Sequence, residues 1–270
     1  MLAPESLLHH GVNDSFMSTL NRFSLHFGSP RAFLPVFLCL LTGFSSPNEP
    51  RGSRPLISDD GDKQPRNRSA TLATPFQIAL VQPVQLHKSE KSVAGFRSNL
   101  FYGKNPHVVG VDLGLVNHVS NDLGGIQLGL GNIVERQGKG FQFGFYNHAE
   151  EGFTGWQHGA ASHSKGEFKG FQSSYVALTE GNLKGVQYGL WCETSGNFKG
   201  WQTGGLGAYV QGDLWGAQTG GILNVVNGKC KGVQIGIINI AGELQGIQIG
   251  MINVNQKGPL VVFPTINIAL

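Results

Sequence analysis

Glutamine recurs at one position of a short repeat, and its regular spacing makes it the best candidate in this sequence for a side chain that binds a ligand. An amide carries two N–H donors and an acceptor oxygen, so a row of amides lining a lumen or groove could bind a polar ligand. The same amides could instead bond to one another or to the backbone, and this structural role is the interpretation that we favour. The nine glutamines of the row are Gln127, Gln142, Gln157, Gln172, Gln187, Gln202, Gln218, Gln234 and Gln248.

Histidine, cysteine and acidic side chains offer little further chemistry. His118 and His148 share a repeat position, but they lie two repeats apart, which disfavours a joint metal site. Cys192 and Cys230 occupy different phases of the repeat, so we expect neither a disulfide between them nor a metal site. Asp112 replaces glutamine in the first repeat, where we expect it to cap an atypical terminal copy. Because HExxH, GxSxG, CxxC and phosphate-loop motifs are also missing from the sequence, we predict no catalytic residue, no cofactor and no enzymatic activity.

The amino-acid composition favours one class of fold and disfavours one class of partner. The chain has 270 residues, of which 40 are glycine and 14% are charged, with a formal net charge of +3. Glycine is used at about twice its ordinary frequency, and each glycine destabilises a helix interior by about 1 kcal/mol relative to alanine, which favours β-structure. The small net charge, without a basic stripe interleaved with stacking aromatics, predicts no nucleic-acid partner.

Residues 1–45 have the layout of a secretory signal region. Arg22 and Arg31 lie before or beside an apolar run at 32–41, and small residues follow it. The run is too short to span a bilayer as a helix, so we predict a signal peptide that is cleaved near Ser45. The residues before Met17 fit a signal badly, which makes Met17 an alternative start. The protein is therefore expected to be exported, to the outer membrane or the cell surface.

Two further expectations concern the chain around this segment. Cys39 follows Val, Phe and Leu rather than the small residue that lipoprotein processing requires, so we expect no lipidation there. Residues 46–70 are rich in Pro, Ser and charge and predict a disordered linker. The remaining residues, 71–270, are expected to form a β-repeat domain.

Ten copies of a repeat of about fifteen residues lie between residues 108 and 254 and begin with a Gly-apolar-Gln motif. Their spacings are six of fifteen, two of sixteen and one of fourteen, a regularity that indicates a modular array. The sixteen-residue copies contain Gly204-Gly205 and Gly220-Gly221, where an extra residue beside glycine predicts a β-bulge. The motif glycines are Gly110, Gly125, Gly140, Gly155, Gly170, Gly185, Gly200, Gly216, Gly232 and Gly246.

Two-residue X-Gly pairs between the copies, such as Asn227-Gly228, are typical of tight hairpins. They predict an all-β fold, a repetitive antiparallel meander of about 12–14 strands closed as a β-barrel. The alternative is a narrow β-solenoid of 15-residue coils, in which the strands are parallel and residues such as Asn239 and Asn253 stack in a ladder. A solenoid would also explain why every copy looks alike, whereas alternate strands of a meander point in opposite directions and could have diverged into a double-length repeat.

Alternation along each strand separates an apolar face from a Gly-Gln-Gly stripe. Val233, Ile235 and Ile237 belong to the apolar face, which would contact lipid in a membrane barrel and fill the core of a soluble repeat. We therefore predict an exported cell-envelope protein with a structural or interaction role, as an outer-membrane β-barrel. The alternative is a secreted or surface-attached soluble β-repeat binding module. The expected partner is outer-membrane lipid or an extracellular ligand.

Three parts of the chain together resemble the leptospiral surface repeat-containing protein family, some of whose members are called lipoproteins. They are the segment from Ala73 to Asn117, the "GVQIGIIN" repeats and the ending "KGPLVVFPTINIAL". The resemblance covers residues 73–270, and the three parts occur in the same order. It implies an exported spirochaete protein and carries over no catalytic residue. The residues before Cys39 depart from the pattern of a lipoprotein.

Overall fold

In the computed structural model, the repeats wind into a parallel β-solenoid of about eleven coils, and the part of the chain that the structure describes contains no helix. The structure describes residues 73–81, 84–85 and 91–270, so the predicted signal region and linker lie outside the described residues. The strands are β1 (Thr74–Val81), β2 (Val84–Gln85), β3 (Val93–Asn105), β4 (Val108–Val119), β5 (Leu123–Leu128), β6 (Gly131–Val134), β7 (Gln137–Ala149), β8 (Gly152–Ser164), β9 (Glu167–Thr179), β10 (Leu183–Thr194), β11 (Phe198–Val210), β12 (Leu214–Gly220), β13 (Leu223–Ile235), β14 (Ile238–Asn255) and β15 (Val262–Ala269).

Successive coils run in the same direction and in register. Gln187 of β10 pairs with Gln172 of β9 on one side and with Gln202 of β11 on the other. The all-β prediction is confirmed, and the narrow solenoid named as the alternative is the observed architecture. The antiparallel meander closed as a β-barrel is wrong, because neighbouring repeats pair as parallel strands.

The X-Gly pairs are corners of the coil and do not form hairpin turns. A Cβ atom on Gly166 would lie 1.6 Å from the backbone oxygen of Glu151 in the preceding coil, and one on Gly196 would lie 2.5 Å from that of Gly181. Glycine is required because the backbones of stacked corners approach so closely. Asn227-Gly228 even lies within β13. A tight corner and a tight hairpin both select glycine, and for this reason the pairs suggested the wrong connection.

The glycine of each motif has a separate reason to be glycine. Its φ lies between +127° and +148° in every coil, a backbone region that is nearly closed to other residues. A Cβ on Gly185 would also lie 2.0 Å from the backbone oxygen of Gly170. The same geometry occurs at Gly95, fifteen residues before the first of the predicted repeats, so the solenoid has one more coil than the sequence indicated.

The extra residues of the longer copies lie where the sequence placed them. The register between β10 and β11 shifts after Gly189, opposite Gly204-Gly205. The coil that contains Gly220-Gly221 also changes register with the coil that follows it. Before the two glycines Thr219 pairs with Ile235, and after them Leu223 pairs with Ile238. At each double glycine the corner of the coil therefore contains one extra residue, and the strands on either side of the corner stay aligned with the neighbouring coils.

An apolar column, one residue per coil, runs through the interior of the solenoid. Phe153 and Phe168 stack with ring centroids 6.1 Å apart, and the ring of Phe153 fills the space beside Gly138. No coil could bury these side chains by itself, so stacking of neighbours creates the core. The buried members of this column are Val93, Val108, Leu123, Phe153, Phe168, Leu183, Phe198, Leu214, Cys230 and Leu244.

Strands that depart from the parallel pattern lie at both ends of the stack. At the C-terminal end, β15 pairs antiparallel with β14. At the N-terminal end, β1 continues the parallel sheet and β2 pairs antiparallel with β1. Terminal elements of this kind cover the outermost coil of a repeat array.

Candidate functional site

The predicted glutamine row lies inside the coil as a continuous ladder. All nine side chains are fully buried. Each Nε2 atom, from Gln142 to Gln248, donates to the Oε1 atom of the glutamine in the preceding coil at 2.7–3.1 Å. The amides therefore bond to their own copies in neighbouring coils, and the ladder presents no edge to the outer surface.

Both ends of the glutamine ladder are completed by other polar side chains. Gln127 donates to Asp112 Oδ2 at 2.9 Å, and Arg97 donates to the same carboxylate through Nε at 2.6 Å and Nη2 at 2.5 Å. At the other end Asn267 donates to Gln248 Oε1 at 2.9 Å. Asp112 thus ends the run of glutamines, but its coil is not the terminal one that we expected, since Arg97 of the preceding coil pairs with it and balances its charge in a fully buried pair.

Arg97 is a site residue that the sequence interpretation missed. It occupies the glutamine position of the coil that begins at Val93, and it also donates to Asn105 and to the backbone oxygen of His118. The available signal was the spacing of fifteen residues between Gly95 and Gly110, without a glutamine to mark the motif.

Asparagines form a second interior ladder in the coils near each end. Asn117 donates to Asn132 at 3.0 Å and Asn132 donates to Asn147 at 2.9 Å. In the last coils, Asn239 accepts from Asn224 and donates to Asn253, each at 2.8 Å. The stacked asparagines expected of the solenoid alternative are confirmed.

His118 and His148 belong to separate clusters on the outside of the second half of the coil. His118 bonds to Tyr102 at 2.8 Å and to Glu135 at 2.6 Å, and Lys104 donates to the same carboxylate at 2.9 Å. Burial, and then the charge of Lys104, lower the pKa of His118 below its ordinary value. Burial raises the pKa of Glu135, but hydrogen bonds from Lys104 and His118 outweigh it and lower that pKa below its ordinary value.

His148 instead pairs with Glu150 at 2.9 Å, and its ring lies 5.2 Å from the ring of His163. His163 bonds to Glu180 at 3.0 Å. Each imidazole is thus held by a carboxylate of its own. Among the described residues, no group of three or more His, Cys, Asp or Glu side chains is arranged to hold a metal ion.

The two cysteines of the repeat domain are buried free thiols and form no disulfide with each other. Burial raises the pKa of the Cys192 thiol and that of the Cys230 thiol to about 12. Cys192 donates to the backbone oxygen of Thr203. Neither thiol therefore has the thiolate character that nucleophilic chemistry requires.

The outer surface carries one feature large enough for function, which we call the apolar face. It consists of the side chains one, three and five residues after each motif glycine, with the last moved to six in the two longer coils. Ile235 and Ile237 belong to it and are each 45% exposed, so the apolar face identified in the sequence points outward. Its corner column comprises Leu100, Leu115, Leu130, Phe145, Ala160, Tyr175, Leu190, Leu206, Ile222, Ile237 and Met251.

Aromatic side chains concentrate in the middle of the apolar face. Trp156 contacts Phe143 and Phe171, with ring centroids 5.2 and 5.6 Å apart, and Phe141 at 6.2 Å. Farther along, Trp201 is 54% exposed. Near the last coils, Ile235, Ile237, Ile249 and Met251 line a shallow apolar depression floored by glycine.

A row of lysines borders the apolar face on one side. It lies one residue before the motif glycine, so each lysine is two residues from a member of the face on the same strand surface. Lys169 and Lys184 approach Glu167 at 3.1 and 3.6 Å. The lysine row comprises Lys139, Lys169, Lys184, Lys199 and Lys231, all of them exposed.

The described residues contain no helix with the length and apolar character needed to cross a bilayer. A scan against protein-family models, a search of curated proteins and a search of solved structures each found no match to this chain. The apolar face and the lysine row are therefore the features of the described residues that bear on function.

Proposed function

We propose that the protein is an exported, surface-attached β-repeat binding module without catalytic activity. The observation that carries this proposal is the apolar face, which repeats along the outside of the coils while the glutamine and asparagine ladders are buried inside them. Soluble proteins rarely expose a contiguous apolar patch of more than a few hundred Å², and larger patches mark sites of interaction. The signal-like residues 1–45 and the resemblance to leptospiral surface proteins support export.

Three properties of the described residues favour contact over catalysis. The ladder glutamines and asparagines bond between coils, His118, His148 and His163 are each bonded to a carboxylate, and burial raises the pKa of both thiols. The features that repeat along the outside are apolar side chains and lysines. A solenoid with an apolar face along one side is well suited to bind a partner along its length.

Fractionation and protease treatment of intact cells test this proposal. We expect the chain to be processed near Ser45, to fractionate with the cell envelope and to be degraded when protease is added outside intact cells. A periplasmic marker should remain intact in the same sample, as the control for envelope integrity. A full-length, protease-protected chain in the cytosol would contradict export and with it the proposed function.

A further inference from the structure

We propose that the apolar face lies on a lipid leaflet with anionic headgroups, with the solenoid axis parallel to the membrane. This inference rests on the proposed function, for which it names the partner. Eleven coils at about 4.8 Å each make the face about 50 Å long. It extends along a single side of the rod, as in amphipathic elements that bind in the plane of a membrane.

The shape of the apolar face fits a bilayer better than a flat partner. The corner column is its crest, with Leu190 at 49%, Leu206 at 54% and Met251 at 72% exposed. Apolar side chains continue on the far side of the crest, where Val176 is 40% and Ile252 is 45% exposed. When a convex crest enters a fluid leaflet, lipid can contact the apolar side chains on both of its flanks. A flat protein surface would cover only one flank.

Four polar side chains within the apolar face, those of His158, Ser173, Thr203 and Thr219, are bonded in pairs. Thr203 and Thr219 share a hydrogen bond of 2.8 Å, and Trp201 donates to Thr219 at 3.1 Å. His158 and Ser173 share another of 2.8 Å. A polar group that enters lipid without a partner is costly, and these pairings remove most of that cost before the face leaves water.

The charge beside the apolar face points to anionic headgroups. Lys139, Lys199 and Lys231 form no ion pair with any other described residue. Long lysine side chains can keep their ammonium groups at the headgroups while their stems cover apolar surface. Each such lysine contributes to the attraction of an anionic leaflet.

A second copy of the chain would complement this border less well. Carboxylates near the opposite border belong to Glu135, Glu150 and Glu180, and all three are held by histidine within the same chain. Lys104 and Lys165 bind two of these carboxylates as well. Among the described side-chain carboxylates, those of Glu193 and Asp213 form no ion pair, so a partner copy could offer the free lysines two unpaired carboxylates, whereas a leaflet offers unpaired phosphates along the whole row.

All four tryptophans of the chain lie on the apolar face, beside it in the lysine row, or on the far flank of its crest. They are Trp156, Trp191, Trp201 and Trp215. Indole rings favour the boundary between headgroups and acyl chains. Because the chain has no other tryptophan, its intrinsic fluorescence reports on this side of the solenoid alone.

Binding of the full chain to vesicles tests the inference. The probes are vesicles of phosphatidylcholine alone and vesicles in which about a third of the lipid is phosphatidylglycerol. We expect flotation with the anionic vesicles, a blue shift of tryptophan emission and quenching by lipids brominated on their acyl chains. Residues 1–45 are kept in every variant, so that differences between variants report on the solenoid.

Two sets of substitutions separate insertion from charge. The triple variant Leu190→Gln, Leu206→Gln and Ile237→Gln should lower partition into anionic vesicles about tenfold or more, because it removes exposed apolar side chains from the crest. Its unfolding midpoint should match that of the unmodified chain, since none of the three is buried. If the triple variant does not fold, the single variant Leu206→Gln gives the same comparison with a smaller effect.

The lysine set has a control with the same change in net charge. Lys139→Gln, Lys199→Gln and Lys231→Gln together should weaken binding to anionic vesicles about tenfold or more, with little effect on phosphatidylcholine. The matched variant removes three exposed lysines outside the row, Lys91, Lys165 and Lys257, of which Lys165 also pairs with Glu150. It should change binding less than twofold. Equal loss in the two charge variants would overturn the role of the lysine row.

Two other outcomes would overturn the lipid inference. One is the absence of vesicle binding and quenching. The other is a dimer, detected by sedimentation, in which the tryptophans are shielded from solvent when no lipid is present. If the triple variant of Leu190, Leu206 and Ile237 dissociates this dimer, the face would be assigned to a second copy. Either outcome leaves the proposed function intact if the chain is still found outside intact cells, so the two proposals fail separately.

Discussion

The inside and the outside of each coil follow different rules of repetition. Within the ladder the same amide recurs at 2.7–3.1 Å from its copy, and only Asp112 and Arg97 depart from glutamine near one end. On the apolar face the character is kept but the side chain varies freely, from Phe141 to Trp156 to Val186. Identity is needed where a side chain bonds to its own copy, and only hydrophobicity is needed where no other described segment covers the side chain.

This difference predicts where substitutions act. Changes inside the coil should lower the free energy of unfolding, because each side chain there has partners above and below. Changes on the apolar face should leave that free energy nearly unaltered, since the exposed side chains make few contacts within the chain. The following experiments test that division, beginning with the largest expected effect.

Breaking the buried pair that ends the glutamine ladder should be the most destabilising change. Asp112→Gln leaves Arg97 buried and charged without its carboxylate, a loss of about 3–5 kcal/mol of stability. The double variant Arg97→Gln, Asp112→Gln should recover more than half of this loss, because two further amides extend the ladder. Urea unfolding and hydrogen exchange in β3 and β4 measure both variants. A double variant less stable than Asp112→Gln would contradict the ladder as the organising element here.

Adding a methyl group at a motif glycine should be nearly as severe. Gly185 has φ +136°, and a Cβ there would lie 2.0 Å from the backbone oxygen of Gly170. Gly185→Ala should therefore destabilise the solenoid by about 3 kcal/mol. Gly131→Ala is the control, because its Cβ would approach nothing closer than 3.7 Å, and it should change stability by less than about 0.5 kcal/mol. Thermal unfolding followed by circular dichroism compares them, and similar midpoints would be inconsistent with the close stacking of backbones.

Removing one rung from the middle of the ladder should have an intermediate effect. Gln187 donates to Gln172 at 2.8 Å and accepts from Gln202 at 2.7 Å. Gln187→Leu keeps a side chain of similar size but removes these bonds, and we expect a loss of about 2 kcal/mol. Gln245→Leu, at an exposed position of a later coil, should change stability by less than about 0.5 kcal/mol. Equal effects of the two substitutions in urea unfolding would remove the distinction between inside and outside.

The sequence predicted the all-β class and the repeat period, because each of these is a property of a single coil, and it predicted the asparagine stacking only under the solenoid alternative. It did not predict the direction of the neighbouring strand. X-Gly at Asn227-Gly228 selects a tight backbone bend, and a bend that continues to a parallel coil needs the same residue as one that reverses the chain. Only the register of Gln187 with Gln172 and Gln202 distinguishes the two.

The candidate site was predicted in part. Strict alternation along a strand would place Leu190 and Cys192 on the same face, whereas Leu190 is 49% exposed and Cys192 is buried. The corner between them changes the phase of alternation, since a bend in the chain adds a rotation that a straight strand lacks. Arg97 escaped notice because its coil has no glutamine. Both misses concern interactions between coils, which the period of one coil does not encode.

The smallest effect that we predict comes from the histidines on the outside of the second half of the coil. Burial, and then the charge of His148, lower the pKa of His163 below its ordinary value of 6.5, and burial lowers that of His118 as well. The unfolded chain therefore binds protons more readily than the folded one. Stability should be greatest above 6.5 and fall as the pH decreases through the folded pKa values.

A second decrease should follow at lower pH from Glu135 and Glu150, because their hydrogen bonds to lysine and histidine lower both pKa values below 4.5 in spite of burial. Urea unfolding over a pH series resolves the two steps. His163→Gln should reduce the upper step and leave the lower one, and its effect on stability well above 6.5 serves as the reference, where the imidazole is neutral in both states. An upper step of unchanged size in this variant would mean that protonation acts elsewhere. If the step shrinks, the carboxylate-bound histidines of the outer surface couple solvent pH to the folding of the coil, while the glutamine amides inside it do not titrate.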